Sequence, residues 1–405
     1  MVKRPNKRRD LRITWNSNAS WTNSGYASFT RDLLNRLTKD GWPIAEIAFY
    51  GLQGYNIDYN GRKVYPQMAD PYGGDAMSNH SVDFKANVVF AMQDLQTIHP
   101  SFLDEINRKG MKFIPYLPID QSPPIPSILT NLNYAHKIIT FSKFGQNELE
   151  KAGYMSTMIP EGIDINIFKP GDKSFRKEAG LPEDAFIFGM IGANKENPPR
   201  KGYQEALEAF QLFSKNHPEA IIYFHTQQIA PGNFPIMDYA KYLKIEKKVF
   251  GLDQYSATFR AGPEMIVKEL NSFDVLLHPS MTEGFGLLPV EAQACGIPAI
   301  VNRCHSQPEL VKEGVTGEIC ETGKGWWRSL GGYIYPADVD SLHQKMENLY
   351  TKLKDLEQKK EIARAAREHV ANNFNIDALV KDRWIPYLEN LQDEILGKID
   401  TKTEK

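Results

Sequence analysis

The chain has 405 residues, which is too long for one ordinary domain and sufficient for two. Hydrophobic residues make up 41% and charged residues 24%, a balance typical of globular proteins, and the net charge of -2 argues against a general nucleic-acid binder. Three cysteines indicate a reducing compartment rather than a disulfide framework. No apolar run approaches the roughly 20 residues that span a bilayer, so we expect a cytoplasmic protein.

Residues 1–9 are rich in Lys and Arg. No apolar core follows them, so we do not interpret this stretch as a secretory signal. It is either a solvated, disordered end or a peripheral contact for phospholipid headgroups.

The first part of the chain alternates apolar runs with amphipathic helices. A helix begins near Gly25 with Asn23 or Ser24 near its cap, and others are predicted toward Ala135 and over 146–152. Residues 51–79 show no clear periodicity of hydrophobic residues and are interpreted as a loop or irregular hairpin. Strands that alternate with helices predict a parallel, doubly wound sheet. The predicted strands are Leu11–Trp15, Val88–Met92, Lys112–Pro118 and Lys137–Ser142.

The same alternation restarts at Phe186. Asp338-Val339-Asp340 opens a long helix and is interpreted as a helix cap rather than a metal site. The three cysteines lack the spacing of metal ligands, so no metal site is expected. The predicted strands are Phe186–Gly192, Ala220–His225, Phe273–His278 and Ile297–Val301, and the predicted helices cover 204–213, 265–271, 340–356, 361–374 and 377–396.

The segment Ser280–Ala292 joins a predicted buried strand to a helix. Such a loop lies at the carboxyl edge of a parallel sheet, where open α/β folds bind ligands. Pro289 suits the first position of that helix. The amides of Phe285 to Leu288 would then face an anion at the helix N-terminus, and Gly284 and Gly286 would let it come close.

Two carboxylates, Glu283 and Glu291, frame this loop with seven residues between them. They cannot lie side by side, so we expect them at opposite ends of an extended ligand whose phosphates lie between them. A nucleotide sugar has that shape. The alternative is a tight turn with two solvated glutamates.

The string Glu-Gly-Phe-Gly-Leu-x-x-x-Glu-Ala resembles the donor motif of the retaining family 4 (group 1) glycosyltransferases. The resemblance implies an α/β, GT-B fold, in which two Rossmann-like, doubly wound parallel-sheet domains face each other across a cleft. It also implies that Glu283 lies by the donor sugar, Glu291 binds the ribose and the loop amides hold the diphosphate. No metal or other cofactor is expected, because GT-B enzymes usually need none.

Residues 159–170 resemble the link between the two domains of that family, although Glu161 stands where the family usually has Asn. The resemblance predicts an acceptor-binding domain over 1–170 and a donor-binding domain over 171–375. The segment 376–405 is expected to cross back onto the first domain.

Pro199-Arg200-Lys201-Gly202 resembles the family's basic pair opposite the donor loop, and a guanidinium with an ammonium suits a diphosphate leaving group. The alternative is a solvated, basic helix start. Gly25 resembles the glycine that faces the donor phosphates across the cleft. The residues expected to bind the donor are Gly25, Arg200, Lys201, Glu283, Gly284, Phe285, Gly286, Leu287, Leu288 and Glu291.

On the acceptor side the family's usual His is absent, and Asp94 and Asp120 are the candidates to hold or activate the acceptor hydroxyl. The alternative for each is a cap or strand-end turn. His225 and His278 are interpreted as structural. The tryptophans of Gly323–Arg328 either stack on a sugar or meet a partner, or one of them anchors a long loop.

We therefore expect a retaining glycosyltransferase that moves a sugar from a UDP- or GDP-sugar to a hydroxyl of a glycan, lipid, protein, metabolite or modified nucleobase. The alternatives are a nucleotide-sugar 2-epimerase or hydrolase of the same fold and a non-enzymatic nucleotide-sugar binder. The oligomeric state is left open.

Overall fold

The computed structural model of the chain describes residues 8–227, 232–259 and 262–397, and two mainly parallel sheets dominate it. The first sheet has the order β3-β4-β2-β1-β5-β6-β7-β8, and only β3 and β4 pair antiparallel. Its strands are β1 Ile13–Asn18, β2 Ile44–Tyr50, β3 Ile57–Tyr59, β4 Arg62–Pro66, β5 Val88–Met92, β6 Lys112–Leu117, β7 Ile139–Thr140 and β8 Thr157–Met158. Its helices are α1 Gly25–Lys39, α2 Gly74–Phe84, α3 Pro100–Arg108, α4 Pro126–Leu132 and α5 Lys143–Lys151.

The second sheet is parallel throughout, with the order β11-β10-β9-β12-β13-β14. Its strands are β9 Phe186–Ile191, β10 Ala220–His225, β11 Val249–Gly251, β12 Val275–His278, β13 Ala299–Asn302 and β14 Gly317–Cys320. The short strands β15 Trp326–Trp327 and β16 Tyr333–Ile334 form an antiparallel pair. The helices of this half are α6 Ser174–Glu178, α7 Tyr203–Phe213, α8 Ile236–Tyr242, α9 Gln254–Phe259, α10 Pro263–Ser272, α11 Leu287–Ala294, α12 Val339–Lys354 and α13 Leu356–Asn373.

Two mainly parallel sheets with helices between their strands confirm the predicted fold class. The strands that were recognised as continuous apolar runs lie between helices, because a parallel sheet is covered on both faces. Every residue of β5, β9 and β10 is buried. Ser24 caps α1 as predicted, its side chain accepting a hydrogen bond from the amide of Ala27.

The prediction for residues 51–79 is only partly correct. The hairpin is present as β3 and β4, but α2 begins at Gly74, inside the stretch that was interpreted as a loop. The buried face of α2 is built from Ala76, Met77, Ser78 and Ser81. Because most of these side chains are small or polar, the helix lacks the strong apolar stripe that periodicity detects.

The C-terminal part of the chain returns to the first sheet. A short helix α14 (Ile376–Leu379), a π-helical turn over 380–384 and the helix α15 (Ile385–Leu396) follow α13. Trp384 is fully buried, with its ring centroid 5.7 Å from that of Trp15 and 5.2 Å from that of Tyr116. Gln392 accepts hydrogen bonds from the amides of Asp10 and Leu11.

The two passages between the sheets run side by side. The amide of Ile163 donates to the carbonyl of Phe374 at 2.9 Å, and the amide of Ile376 donates back to Ile163 at 3.0 Å. A pair of adjacent chain crossings is a suitable place for a hinge, because few residues must change their backbone angles. The exact boundaries near residues 170 and 375 remain predictions.

The predicted membrane contact at 1–9 lies outside the described residues apart from Arg8 and Arg9, and so does the end of the predicted crossing segment, 398–405. Arg8 pairs with Asp10 at 2.8 Å, and Arg9 pairs with Glu389 at 2.6 Å. Within the described ranges, none of the helices combines the length and the apolar character that a membrane crossing needs.

Candidate functional site between the two sheets

The topology of each sheet directs its loops into the space between them. The strand order reverses between β9 and β12 in the second sheet and between β1 and β5 in the first. A ligand crevice forms at such a switch point, because the flanking loops leave on opposite faces of the sheet. The loops after β9 and β12 carry Lys201 and Glu283, and those after β1 and β5 carry Gly25 and Asp94.

The predicted donor loop connects β12 to α11, as expected, but the helix begins two residues earlier than predicted. Leu287 is its first residue, so Pro289 occupies the third position rather than the first. Proline is accepted there because the first-turn amides of a helix have no partner within the helix. Gly286 precedes the helix with φ = 106°, a left-handed conformation that favours glycine.

Ser306 fixes the orientation of this loop from behind. Its hydroxyl contacts the carbonyl oxygens of Glu283 at 2.7 Å and of Phe285 at 3.1 Å. In a trans peptide the carbonyl and the following N–H point in opposite directions, so the amides of Gly284 and Gly286 are directed away from Ser306. Phe285 is buried and packs on Phe374 with ring centroids 5.7 Å apart.

Two cationic side chains and a histidine surround the carboxylate of Glu283. The Lys201 Nζ lies 2.5 Å from Glu283 Oε1, His278 Nε2 lies 3.3 Å from it, and an Arg200 Nη lies 3.8 Å from Oε2. Burial alone would raise the pKa of Glu283, but Lys201, His278 and Arg200 together hold it well below its usual value. Glu283 is therefore a buried carboxylate anion at neutral pH.

Arg200 and Lys201 are both held at the start of α7. Arg200 donates to the carbonyl of Thr282 at 2.8 Å, which ties the β9 loop to the donor loop. Burial lowers the pKa of Lys201, while its contact with Glu283 opposes that fall. The structure thus brings together the basic pair and the first glutamate of the predicted site.

The second glutamate, Glu291, faces the first domain. It is buried in α11, and its pKa is raised to about 8 by burial and by the nearby charge of Asp32 on α1. Asp32 itself pairs with Arg31 at 3.0 Å. Glu291 thus favours its protonated form near neutral pH, in which it can both donate and accept hydrogen bonds.

The acceptor candidates lie across the cleft from this cluster. Tyr26 donates to Asp94 at 3.2 Å, and Asp94 is exposed. Burial and the charge of Asp94 raise the pKa of Asp120 to about 6, against the opposing charge of Arg200. The two predicted acceptor residues are thus near each other and near the cations of the donor side.

The cleft is closed around these residues. The hydroxyl of Thr282 donates to the carbonyl of Asp120, and a Cβ added to Gly284 would lie 2.2 Å from the Cβ of Pro118. At Gly25, an added Cβ would lie 3.6 Å from Leu287 Cδ1, so the N-termini of α1 and α11 face each other. Gly284 is needed because the donor loop packs directly on the first domain.

Three further groups of the site were not recognised from the sequence. His278 was interpreted as structural, yet it contacts Glu283. Glu161 is buried, and its pKa is raised well above the usual value by burial and by the charges of Glu283 and Glu291. Tyr26 had no assigned role. For these three residues the sequence offered one signal, the presence of Glu161 where the family usually has Asn. Contacts between loops leave no trace in the hydrophobic periodicity, so the other two could not be recognised.

Other candidates have structural partners. His225 lies 2.6 Å from Glu269, which also accepts a hydrogen bond from Tyr223. Asp338 caps α12 by accepting from the amide of Ser341, which confirms its interpretation as a helix cap. In the part of the chain that the structure describes, no group of three or more His, Cys, Asp or Glu side chains is arranged to hold a metal ion.

The architecture matches that of a known class. "Anabaena Alr3699/HepE in complex with UDP-glucose" superposes with a TM-score of 0.71 at 15% identity, covering 95% of this chain and 100% of that one. Such a likeness shows the fold, and the fold of this protein is GT-B, with two doubly wound domains about a cleft.

The sequence of the second domain matches a known family model. Residues 172–330 match the model described as "Glycosyl transferases group 1", and this matched segment is less than half of the chain. It includes both the basic pair and the donor loop.

Two curated relatives are similar over parts of the chain. A D-inositol 3-phosphate glycosyltransferase of Corynebacterium jeikeium (strain K411) is 28% identical over 193 residues, which are 45% of this chain and 44% of the relative. An N-acetyl-alpha-D-glucosaminyl L-malate synthase of Bacillus anthracis is 30% identical over 236 residues, which are 57% of this chain and 53% of the relative. The matches thus span about half the length of these relatives.

Proposed function

We propose that this protein transfers a sugar from a UDP- or GDP-sugar to a hydroxyl group of an acceptor, with retention of the anomeric configuration. The observation that carries the proposal is the convergence of Lys201, Arg200 and His278 on Glu283, at the N-terminus of α11 and opposite Gly25 of α1. The group 1 domain and the UDP-glucose complex of a protein with the same fold support a nucleotide-sugar donor.

In this proposal the donor enters when the two domains separate. Its diphosphate binds the amides of Phe285, Gly286, Leu287 and Leu288 at the start of α11, where the helix dipole favours an anion. Glu291, protonated in the closed structure, hydrogen-bonds the ribose hydroxyls. Lys201 and Arg200 exchange part of their contact with Glu283 for the diphosphate, which leaves the Glu283 carboxylate free to orient the sugar hydroxyls.

The transfer step breaks the bond between the anomeric carbon and the diphosphate oxygen. The acceptor oxygen attacks that carbon from the face on which the diphosphate leaves, and its proton passes to an oxygen of the departing phosphate. Lys201 and Arg200 stabilise the charge that develops on this leaving group, a contribution that is largest in the transition state. Asp94 and Asp120 hold the acceptor hydroxyl in position.

We propose that no resident metal or cofactor is needed, because two cationic side chains already lie where the leaving group's charge would develop. We further propose that residues 1–170 bind the acceptor and residues 171–375 bind the donor. Residues 376–405 would stabilise the first domain by packing on it. A cytoplasmic location is proposed from the small number of cysteines, and the three that are present are free and buried.

Incubation with UDP-, GDP- and ADP-sugars tests the proposal in two stages. A thermal shift identifies the donor, because a ligand that binds the native state raises its stability. Proton NMR of the product formed with an acceptor panel then gives the anomeric configuration. An inverted product would refute retention, and release of free or epimerised sugar without acceptor dependence would indicate a hydrolase or 2-epimerase. Donor binding without turnover would indicate a binding protein.

A further inference from the structure

The hairpin formed by residues 325–335, here called the aromatic hairpin, has no role in donor binding as described above. Its strands β15 and β16 and the turn between them carry side chains that are unusually open to solvent for their size. Trp326 is 42% exposed, Trp327 56%, Leu330 55% and Tyr333 42%. Neither tryptophan is a buried anchor, so the interpretation that one of them ties down a long loop is wrong.

The aromatic hairpin crosses from the second domain to the first. The amide of Tyr333 donates to the carbonyl of Ser122 at 2.9 Å. A Cβ added to Gly332 would lie 2.6 Å from the Cβ of Gln121, so the turn packs tightly on the residues that directly follow Asp120. The exposed rings therefore lie beside the acceptor end of the cleft.

Arg328 links the aromatic hairpin to the interior of the cleft. Its guanidinium lies 3.6 Å from Glu196, and Glu196 also lies 3.4 Å from Arg200. The charge of Arg328 also reaches Asp120, where it opposes the rise in pKa that burial and Asp94 cause. Side chains alternate between the two faces of a strand, so Trp326 shares one face of the hairpin with Arg328, while Trp327 shares the other face with Tyr333.

This arrangement suits a carbohydrate better than a purely apolar ligand. A sugar ring has an apolar C–H face and a rim of hydroxyls, and tryptophan and tyrosine combine an apolar body with a polar handle. The rings are held in place: Trp327 contacts Tyr333 edge-on with centroids 5.1 Å apart, and Tyr333 stacks with Tyr335 at 6.3 Å. Rigid aromatic side chains lose little entropy on binding. The carboxylates and guanidinium beside them supply hydrogen bonds for the hydroxyls.

We propose that the aromatic hairpin is an acceptor subsite that stacks on a sugar ring of an oligosaccharide, next to the unit whose hydroxyl is held by Asp94 and Asp120. The acceptor is then a glycan rather than a lipid, protein, small metabolite or nucleobase. This inference rests on the proposed function, since it assigns the acceptor of the same cleft.

A glycan array probed with the full chain in the presence of UDP tests this proposal. The parent protein should bind a subset of immobilised oligosaccharides, and the double variant Trp326→Ala/Trp327→Ala should lose about tenfold or more of that affinity. The matched control is Tyr242→Ala, which removes an aromatic ring that is 77% exposed on α8 of the same domain. Tyr242→Ala should bind glycans like the parent.

Three results would overturn the proposal: no glycan bound by the parent, equal glycan binding by parent and double variant, or tryptophan-dependent binding to phosphatidylglycerol vesicles in place of glycans. Calorimetry with UDP separates this inference from the proposed function. If UDP binds and the donor turns over while no glycan binds, only the glycan subsite is refuted. If neither UDP nor, in a parallel titration, GDP binds, the proposed function itself fails. Unchanged UDP affinity in the double variant shows that it is folded.

Discussion

Gly284→Ala is the substitution that separates closure of the cleft from folding of the second domain. The backbone of Gly284 does not lie in the left-handed region, so alanine can adopt it. The added methyl carbon would lie 2.2 Å from the Cβ of Pro118 in the first domain. Carbon atoms in contact are about 3.5–4.0 Å apart, so the two surfaces must separate by at least about 1.3 Å. A proline ring cannot rotate out of the way.

A separation of this size would break the hydrogen bonds that backbone amides donate across the cleft. The amides of Lys143 and Phe144 donate to the carboxylate of Glu309 at 2.8 and 2.6 Å, and Tyr333 donates to Ser122 at 2.9 Å. Each would be stretched beyond hydrogen-bonding distance. At about 1 kcal/mol each, their loss amounts to about 3 kcal/mol, which shifts the closing equilibrium by roughly a hundredfold.

Hydrogen exchange at Lys143 and Phe144 measures this shift directly, because their bonds to Glu309 exist only across the closed cleft. In Gly284→Ala we expect faster exchange at both amides and turnover reduced about tenfold or more, with unchanged circular dichroism. The control is Gly262→Ala in the same domain, where φ is -75° and, among the described residues, no atom lies within 4 Å of the added Cβ. Equal protection of the two amides in Gly284→Ala and the parent would refute the reasoning.

Three other changes test separate parts of the site and the fold. Lys201→Ala should lower turnover by about 10²–10³ because the leaving group loses a cation, while the exposed neighbour Lys195→Ala should change little; equal turnover in both variants would remove Lys201 from catalysis. Because the pKa of Glu291 is raised to about 8 in the folded chain, the native state holds a proton that the unfolded chain loses above its ordinary pKa, so stability falls as pH rises through that window. Urea unfolding between pH 5.5 and 7.5 should therefore show a shallower loss of stability in Glu291→Gln, by up to about 1.4 kcal/mol per pH unit, and identical slopes would contradict the assigned pKa. Trp384→Ala should destabilise the first domain by about 3–5 kcal/mol, and a urea midpoint equal to that of the parent would show that the ring is dispensable.

The sequence predicted the elements that are buried on both faces and the loops that lie at their ends. Runs such as Val88–Met92 and Phe186–Ile191 are continuous and apolar, so they identify central strands without further context. The start of α2 was missed because its buried residues are small or polar and its apolar stripe is weak. Local sequence patterns therefore predict the strands of a sheet better than they predict the helices that cover it.

The site residues that were predicted differ from those that were missed in the same way: the first belong to local patterns and the second do not. Glu283 and the basic pair were predicted because each belongs to a short motif within one loop. His278 was interpreted as structural because its contact with Glu283 is not visible in the sequence. The contact depends on the turn at Gly286 and on the hydrogen bond from Ser306 behind the loop. The charges that act on Glu161, those of Glu283 and Glu291, come from the other domain. Contacts between separate loops depend on tertiary packing, which no local pattern contains.

The burial of Trp384 has a consequence for synthesis of the protein. The rings of Trp15, Phe90 and Tyr116 are near the beginning of the chain, yet the tryptophan that packs on them is encoded after the whole second domain. At about 5–20 residues per second, the ribosome needs roughly 10–45 s to travel from the end of β8 to Trp384. During that interval the nascent first domain lacks the ring that packs on Trp15, Phe90 and Tyr116, so we expect it to depend on chaperones. The second domain completes its own sheet earlier, so we expect the part of the chain made first to finish folding last.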